Sequence, residues 1–497
     1  LLAPYFSSSQ IVWTIIIGTI MIAMALGNIY GGKTADKDPD PDKLYKRILI
    51  AAIWIAAIPF VGKFVILGVS ALLVVTVSTN FLILAAFISC MIIFVFPLFL
   101  LGTVTPSLVK YSVNSLDESG KTVGTMNAAN TIGSIIGTFV PTFISIPAAG
   151  TAATFLIFSG ILLVLGIIYF ISCKRKIILC AVFAVLFGVF SVLSTSMGFA
   201  FWEKQLVFEG ESVYNYLQVK ETDTHKYLST NVLFGVQSVY VKSGELSGMY
   251  YDYAMAAPIM SGNNGNDKDI LILGMGTGTY AEQCSKYFDD VRIEGVEIDE
   301  KITYLSHKYF GLPDTVKVTT YDGRAFLNVS DKKYDVIMVD AYQDITIPFQ
   351  MSSVEFFGIV KSHLKEGGVM VVNMNMRSSG TDGINEYLTD TIADVFDDVY
   401  TVDVPGMTNR ELFASDSGNM AKALKESVDA VSDIKFAKTM EYVLNNLVLQ
   451  EGGNNILTDD KAPVELLGMR VIDDMISKEL DYYKKAFKEQ GIKGLLG

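Results

Sequence analysis

The stretch LILGMGTGTYAE (residues 271–282) has glycines at 274, 276 and 278 directly after an apolar run, and a helical pattern follows it. Such a strand-to-helix connection is typical of the first turn in nucleotide-binding folds. The dinucleotide fingerprint would have its last glycine at position 279, where this chain has Thr279. The triplet alone therefore predicts a tight turn, and its ligand has to be inferred from other residues.

Four further apolar runs follow, separated by segments with a helical pattern. The runs are RIEGVEI (292–298), VKVTT (316–320), YDVIMVD (334–340) and GVMVVNM (368–374), and the helical segments include 280–288, 302–310 and 353–364. This alternation predicts a mostly parallel, doubly wound sheet, whose ligands bind beyond the carboxyl ends of the strands. Residues 211–250 instead alternate in short runs between polar turns, which predicts a small antiparallel sheet.

Carboxylates stand at the ends of three of the predicted strands. Glu297 ends the second strand, 19 residues after Gly278, Asp322-Gly323 follows the third, and Asp340 ends the fourth. A carboxylate after the second strand can accept hydrogen bonds from both ribose hydroxyls, and the next one can accept from an adenine amino group. Each aspartate alone is equally explained as a helix cap. Together, in this order, they predict a nucleoside site beside the glycine triplet.

The chain before residue 203 has a different composition. Residues 1–202 hold 11 Lys and Arg against 6 Asp and Glu, whereas residues 203–497 hold 28 against 46. Apolar runs of about 20 residues, the length that crosses a bilayer as a helix, predict about six spans. They are 11–30, 48–73, 81–104, 123–146, 151–172 and 177–201, and the apolar start of the sequence predicts one more helix upstream.

Charge and residue usage argue against several functions. Phosphate binding needs a basic face, so the acidic second part argues against a nucleic-acid partner and allows a cationic ligand. The four cysteines and three histidines are scattered along the chain, which predicts no metal site. The apolar spans contain no acidic residue, so proton-coupled transport is weakly supported.

Basic residues predict how the spans are oriented. Lys and Arg within 31–47, at 110 and 121, and at 174–176 predict that these three loops face the cytoplasm of a multi-pass plasma-membrane protein, of bacterial type. Six single crossings would then place the acidic part outside the cell. A cofactor made in the cytosol favours the inside, which would require two crossings within 48–78 or a last segment that does not cross. The side therefore stays open.

The second part of the chain resembles the spermidine synthase (polyamine aminopropyltransferase) family over about residues 211–375. The matching segments are SVYNYLQV, YYDYAMAAP, GMGTG, VEID, YDGRAFL, YDVIMVDAY and VEFFGIVKSHLKEGGVMVVN. Through LLAPYFSSSQIVWT, GGKTAD and LTDDKAPVE, the whole chain resembles bacterial fusions in which a facilitator-like membrane region precedes this domain. The resemblance implies a class I methyltransferase-like, Rossmann-like fold.

The resemblance also implies an enzyme that moves an aminopropyl group from decarboxylated S-adenosylmethionine to a polyamine or another amine. It assigns Glu297 to the ribose, Asp322 to the adenine and Asp340 to the attacking amine, whose proton a carboxylate has to take. Asp340, Tyr342 and Asp344 are then the catalytic candidates. The cofactor candidates are Asn215, Gly274, Gly276, Thr277, Gly278, Glu297, Asp322, Gly323 and Asp340, and the substrate candidates are Tyr251, Asp252, Tyr342 and Asp344.

Three departures from the family pattern leave the cofactor and the acceptor open. The family usually has an aspartate at the position of Thr277, a glutamine at that of Asn215, and Asp-x-x-Asp-Pro where this chain has Asp340-Ala-Tyr-Gln-Asp344. One alternative is a methyltransferase, or a related enzyme, that uses intact S-adenosylmethionine on the same scaffold. Another is a binding or transport protein whose second part only senses a nucleoside or a polyamine.

Four segments follow from these patterns. We predict a transmembrane helical domain at 1–202, a small antiparallel β-domain at 203–265, a Rossmann-like catalytic domain at 266–420 and a helical extension at 421–497. Within the last segment, residues 464–490 have an amphipathic pattern suited to packing on the sheet or on a second subunit, which allows a homo-oligomer.

Overall fold

The computed structural model of the chain describes residues 1–6, 10–76, 81–113, 119–232, 236–341, 347–375 and 383–471. It divides into two units. The helical unit consists of residues 1–203 and 209–216, and the sheet unit consists of residues 204–208 and 217–497. The polypeptide therefore passes from one unit to the other at three places.

The helical unit is built from long apolar helices. Its helices are α1 Ala3–Phe6, α2 Gln10–Lys37, α3 Pro41–Thr76, α4 Phe81–Gly102, α5 Val104–Ser112, α6 Ser119–Val140, α7 Ile146–Ser172 and α8 Ile177–Ser196, with a π-helical turn, Pro141–Ser145, between α6 and α7. Small residues let neighbouring helices approach closely. A Cβ on Gly27 of α2 would lie 2.3 Å from the backbone oxygen of Phe99 in α4, so only glycine fits there.

The long apolar helices can be compared with the six predicted spans. Within the residues that the structure describes, five helical stretches are long and apolar enough to cross a membrane, because the predicted fourth and fifth spans fall in one stretch of 54 residues, Ser119–Ser172. That stretch is interrupted at Gly150, whose φ of 81° and ψ of 170° are not helical. A single glycine therefore stands where a loop was expected. Residues 48–76 lie in one continuous helix, α3, despite Pro59, so they do not form two separate crossings.

Ion pairs gather the basic segments at one end of the helical unit. Asp42, at the start of α3, accepts a hydrogen bond from the Tyr169 hydroxyl (2.8 Å) and pairs with Lys176 (3.1 Å). Lys110 pairs with Asp36 at 2.9 Å. We call this end of the unit, marked by these five residues, the basic end. Basic residues of all three loops that were predicted to share one side of the membrane lie at this end.

The opposite end of the helical unit is the place where the chain leaves it. Lys63 lies 21 residues after Asp42 in α3, about 32 Å along a straight helix, and its ammonium donates to the backbone oxygen of Gly198 (2.9 Å). Glu211 accepts from the backbone N–H of Thr151 at 2.6 Å, close to the interruption of the long helical stretch. Helix α8 therefore leads the chain away from the basic end before the first strand begins.

The sheet unit follows the predicted order of elements. Its strands are β1 Leu206–Glu211, β2 Tyr216–Glu221, β3 His225–Ser229, β4 Ser238–Val241, β5 Asp269–Leu273, β6 Arg292–Glu297, β7 Lys317–Thr320, β8 Tyr334–Val339, β9 Leu364–Met374, β10 Asp398–Asp403, β11 Arg410–Ser415 and β12 Val448–Leu449. The last three residues of β1 and the first residue of β2 belong to the helical unit. Its helices are α9 Tyr250–Ala254, α10 Ala256–Met260, α11 Thr279–Tyr287, α12 Glu300–Tyr309, α13 Gly323–Val329, α14 Val354–Ser362, α15 Ile384–Ala393, α16 Met420–Ser427 and α17 Ile434–Asn446.

Strand pairing confirms the predicted fold class. Strands β1 to β4 form a small sheet in sequence order, with antiparallel pairing of β2 with β3 and of β3 with β4. The large sheet has the order β12-β10-β11-β9-β8-β5-β6-β7. Strands β5 to β9 pair in parallel and are the five predicted strands, whereas β10, β11 and β12 pair antiparallel. These three strands were not predicted.

Each face of the large sheet carries its own apolar core. Along β5, Ile270 and Ile272 pack into one core, while Leu271 and Leu273 pack into the other. This alternation explains why the parallel strands read as continuous apolar runs: both of their faces are covered. The carboxyl ends of the five parallel strands form a single edge of the sheet, which we call the carboxyl edge.

Candidate active site

The glycine triplet forms a tight turn between β5 and α11. Gly274, Gly276 and Gly278 all have positive φ angles, of 85°, 54° and 82°. A Cβ on Gly274 would lie 2.6 Å from the backbone oxygen of Asp340, and a Cβ on Gly278 would lie 2.4 Å from the Leu312 side chain. The turn therefore lies directly against the end of β8, and glycine is required where the backbones meet.

Glu297 lies at the end of β6 with its carboxylate turned toward the glycine turn. One oxygen accepts a hydrogen bond from the backbone N–H of Gly276 (2.9 Å) and the other from that of Asp299 (3.0 Å). The residue is 7% exposed, and burial raises the pKa of its carboxyl group to about 7, although the two backbone donors favour the charged form. Each oxygen keeps lone pairs for further donors.

Asp322 begins helix α13, and one of its oxygens accepts from the backbone N–H of Ala325 at 2.8 Å. The helix-cap interpretation of this residue is thus correct, and Oδ1 is the one oxygen that forms a hydrogen bond among the described residues. Gly323 follows it as the first residue of α13. The next residue, Arg324, forms two hydrogen bonds of 2.7 Å with Asp459, so the distal LTDDKAPVE segment is fixed to the start of this helix.

Asp340 follows β8 at the carboxyl edge and is half-buried. Its Oδ1 accepts from the side-chain amide of Asn373 (2.9 Å), and its Oδ2 accepts from the Tyr250 hydroxyl (2.5 Å). Burial raises the pKa of its carboxyl group to about 7, against the effect of the two donors. A carboxylate with this pKa exchanges its proton near neutral pH.

The two partners of Asp340 were not predicted from the sequence. Asn373 is a buried polar residue in the apolar strand β9, and its side-chain oxygen accepts from Asn409 at 2.9 Å. Tyr250 is the first residue of α9, and burial and the charge of Asp340 raise the pKa of its hydroxyl well above the usual value. A polar residue inside the run GVMVVNM was the available signal for Asn373. No comparable signal separated Tyr250 from the tyrosine next to it.

Tyr251 and Asp252 use their polar atoms inside the fold. The Tyr251 hydroxyl accepts from the backbone N–H of Val239 at 2.9 Å. Asp252 accepts from the side chains of Gln283 (2.6 Å) and Ser247 (3.0 Å), and it is 1% exposed. These contacts join α9 to α11 and to the small sheet. The assignment of the two residues to an amine substrate stays a prediction.

A second carboxylate faces the same core as Tyr250. Glu411 of β11 is paired with Asn373 of β9 and is completely buried. Burial first, and then the charge of Asp340, raise the pKa of its carboxyl group well above the usual value. Neither of its oxygens has a hydrogen-bond partner within the described ranges of the chain. Sequence reasoning missed this residue, since it lies in an unpredicted strand.

The comparison with known proteins agrees with this geometry. Residues 249–422 match a family model described as the spermine/spermidine synthase domain. A protein of Bifidobacterium longum named "Probable polyamine aminopropyl transferase" is 52% identical over 347 residues, which cover 66% of this chain and 77% of that protein. The chain belongs to the polyamine aminopropyltransferase family. It is therefore a transferase, and its reaction type is spermidine synthase-like aminopropyl transfer.

More distant members of the family are also similar to this chain. A polyamine aminopropyltransferase of Vibrio vulnificus is 24% identical over 294 residues, which cover 56% of this chain and 97% of that protein. The crystal structure of a probable spermidine synthase from Corynebacterium glutamicum shares 20% identity, covers 50% of this chain and 96% of that one, and has a TM-score of 0.37.

The departures of this aminopropyltransferase from the family pattern fall at two places in the structure. Thr277 is buried, and its hydroxyl lies 3.2 Å from that of Thr279, which in turn donates to the backbone oxygen of Val239 (3.2 Å). Asn215 lies in the turn between β1 and β2, where the Ser212 side chain accepts from its backbone N–H. Their assignment to the cofactor stays a prediction. Tyr342 and Asp344 lie outside the described residues.

Proposed function

We propose that this chain transfers an aminopropyl group from decarboxylated S-adenosylmethionine to an amine acceptor, a diamine or a polyamine. The observation that carries the proposal is the carboxylate of Asp340, which Tyr250 and Asn373 hold at the carboxyl edge beside the glycine turn. An acceptor arrives as an ammonium ion, and a carboxylate with a pKa near 7 is suited to take its proton at neutral pH.

The chemistry needs one base and a fixed geometry. When bound, the donor supplies a sulfonium centre whose carbon–sulfur bond breaks as the acceptor nitrogen attacks the carbon, and the electron pair stays on sulfur in neutral methylthioadenosine. An ammonium nitrogen has no free electron pair, so Asp340 takes its proton first. Asn373 and Tyr250 each bind one oxygen of Asp340, which holds the carboxylate in one orientation toward the acceptor.

The donor's nucleoside fits the residues around the glycine turn. Glu297 has lone pairs free on both oxygens and is the group proposed to bind the ribose hydroxyls. Asp322 uses one oxygen to cap α13 and keeps the other for the adenine amino group. Gly274, Gly276 and Gly278 carry no side chain that would keep the nucleoside away from the backbone.

The experiment that tests the function uses the full chain in detergent micelles. The protein is incubated with a diamine and either decarboxylated or intact S-adenosylmethionine, and the nucleoside products are separated by mass spectrometry. We expect methylthioadenosine from the decarboxylated donor. The second candidate, a methyltransferase, is favoured by the absence of a carboxylate at Thr277, and it predicts S-adenosylhomocysteine from the intact cofactor. Formation of that product alone would contradict the proposal.

Replacing Glu297 tests the ribose assignment. In Glu297→Gln we expect the dissociation constant of methylthioadenosine to rise about 10- to 100-fold at pH 8, because hydrogen bonds to a charged acceptor are lost. Isothermal titration calorimetry measures the change. Glu300→Gln, on the exposed start of α12, is the matched control and should bind like the wild type. Equal affinities in both variants would remove Glu297 from the nucleoside site.

We further propose that the helical unit is inserted in the plasma membrane. The five long apolar helical stretches of the described part of the chain support this, the shortest of them with 20 residues. The positive-inside rule puts the basic end in the cytoplasm. Since α8 starts at that end and leads the chain to the opposite one, the proposal places the sheet unit on the outer side of the membrane.

Labelling in intact cells tests this orientation. Cys173 is the only exposed one of the four cysteines and lies next to Lys174, at the basic end. Lys422 is exposed on α16 of the sheet unit. With a membrane-impermeant maleimide, we expect Lys422→Cys to be labelled at once, and Cys173 only after the cells are permeabilised. The reverse pattern would place the sheet unit in the cytosol.

A further inference from the structure

The starting observation is the unusual state of Glu411. A buried ionised carboxylate without partners is unfavourable by several kcal/mol, so buried carboxylates are normally paired or bound to a cation. Glu411 is completely buried, and both of its oxygens lack a hydrogen-bond partner within the part of the chain that the structure describes. The described part of the fold gives no reason for an acid at this position.

Strand register places Glu411 beside the proposed base. Glu411 is opposite Asn373 in the antiparallel pair of β11 and β9, and paired residues of such strands have side chains on the same face. The Asn373 side chain donates to Asp340 at 2.9 Å. The carboxyl groups of Glu411 and Asp340 therefore lie at neighbouring positions of the carboxyl edge, and Asn373 lies between them.

Among the described residues, the groups around Glu411 include no positive charge that interacts with it. Phe413 and Val371, which share its face, pack into the core that also contains Tyr250 and Tyr280. Within the described ranges, the ionisable groups that interact electrostatically with Glu411 are Asp340, Tyr250 and Tyr280, and none of these is a cation. Two acids close together in an apolar setting can both ionise only when a cation joins them.

We propose that Glu411 binds a primary ammonium group of a substrate, and thereby forms a second carboxylate subsite next to Asp340. This inference rests on the proposed aminopropyl transfer and deepens it. The ammonium has two sources in that reaction: the remote end of the acceptor diamine, or the aminopropyl end of the donor. Both present the same –CH₂–NH₃⁺ group, and an N–H···O⁻ contact inside the protein suits either.

The experiment compares wild-type protein with Glu411→Gln, which keeps the shape and removes the charge. If Glu411 binds the acceptor, KM should rise about 10- to 100-fold for 1,4-diaminobutane but not for butylamine, which has no remote ammonium. If it binds the donor, the dissociation constant should rise by that factor for decarboxylated S-adenosylmethionine but not for methylthioadenosine, which lacks the aminopropyl group. Either pattern supports the proposal.

The thermal stability of Glu411→Gln distinguishes a binding role of Glu411 from a structural role. Because an unpaired buried acid does not stabilise the fold, the midpoint of thermal unfolding of Glu411→Gln should equal or exceed that of the wild type. Glu411→Asp, which keeps the acid but shortens its reach, is a second variant and should show the same selective loss of ammonium binding. Glu441→Gln, at an exposed position of α17, is the control and should behave like the wild type.

Two results would overturn the inference, and they are distinguishable. In the first, the wild type converts the donor, and Glu411→Gln changes neither the KM for 1,4-diaminobutane nor the dissociation constant of decarboxylated S-adenosylmethionine by more than twofold. Glu411 then binds no ammonium, while the proposed function stands. If the wild type forms no methylthioadenosine from the decarboxylated donor, the proposed function fails and this inference fails with it.

Discussion

Asp340→Asn is expected to lower kcat by about 10²- to 10⁴-fold, because an amide cannot take the proton of the attacking ammonium. The affinity for methylthioadenosine should stay within about twofold of the wild-type value, since Asp340 is not among the groups proposed to bind the nucleoside. Stopped assays of methylthioadenosine at saturating donor and acceptor measure the first quantity, and calorimetry measures the second.

The dependence of kcat on pH is a second test of Asp340 as the base. Burial raises the pKa of Asp340 to about 7, so below pH 7 the carboxyl group is protonated and cannot act as a base. We expect kcat to rise with pH through about 7 in the wild type. Glu297 has a similar pKa, and its protonation should weaken nucleoside binding over the same range, so the profile is recorded at saturating donor.

The control for Asp340 is Asp429→Asn, the same chemical change at an exposed position. It should keep both the rate and the pH profile. An Asp340→Asn protein that retains more than a tenth of the wild-type kcat would show that another group accepts the proton.

Gly274→Ala is expected to lower the free energy of unfolding by about 2–4 kcal/mol. A φ of 85° alone disfavours alanine by about 1–2 kcal/mol. The added methyl group would also lie 2.6 Å from the backbone oxygen of Asp340 and 2.7 Å from Ala341, and backbone atoms cannot move aside cheaply. Urea titration of the detergent-solubilised protein, followed by the far-ultraviolet circular dichroism of its strands and helices, measures the loss.

Gly358→Ala is the matched control, with the opposite expected sign. Gly358 lies inside α14, and a Cβ there would meet no atom within 4 Å. Alanine is the better helix former by up to about 1 kcal/mol, so this variant should be slightly more stable than the wild type. If the two alanine variants unfold at the same urea concentration, the close approach of the glycine turn to β8 is not a determinant of stability.

Local patterns in the sequence were sufficient to predict the parallel half of the sheet. Each parallel strand is an apolar run followed by a helical pattern, and Glu297, Asp322 and Asp340 stand at strand ends that the pattern itself defines. The antiparallel half has no such signature, because β10 (DVYTVD) and β11 (RELFAS) mix charged and polar residues with apolar ones instead of forming continuous apolar runs. Glu411 lies at the beginning of β11, so a search for carboxylates at the ends of strands does not find it.

Tyr250 and Asn373 show a second reason why the sequence did not predict the whole candidate site. Their importance depends on which residue lies across from them in space, and the contact between Tyr250 and Asp340 spans 90 residues of chain. Adjacent residues of a helix point in directions about 100° apart, so in the run YYDYA the sequence alone does not identify the tyrosine that reaches Asp340.

The large sheet combines parallel and antiparallel strands, which matters for redesigning the acceptor specificity of the enzyme. The residues proposed for the nucleoside come from the parallel strands and the turns after them, whereas Glu411 arrives on a hairpin that runs the other way. We therefore expect substitutions in the β10–β11 hairpin to change the proposed ammonium subsite without altering the nucleoside turns. A library confined to this hairpin is the direct route to variants that accept amines of other lengths.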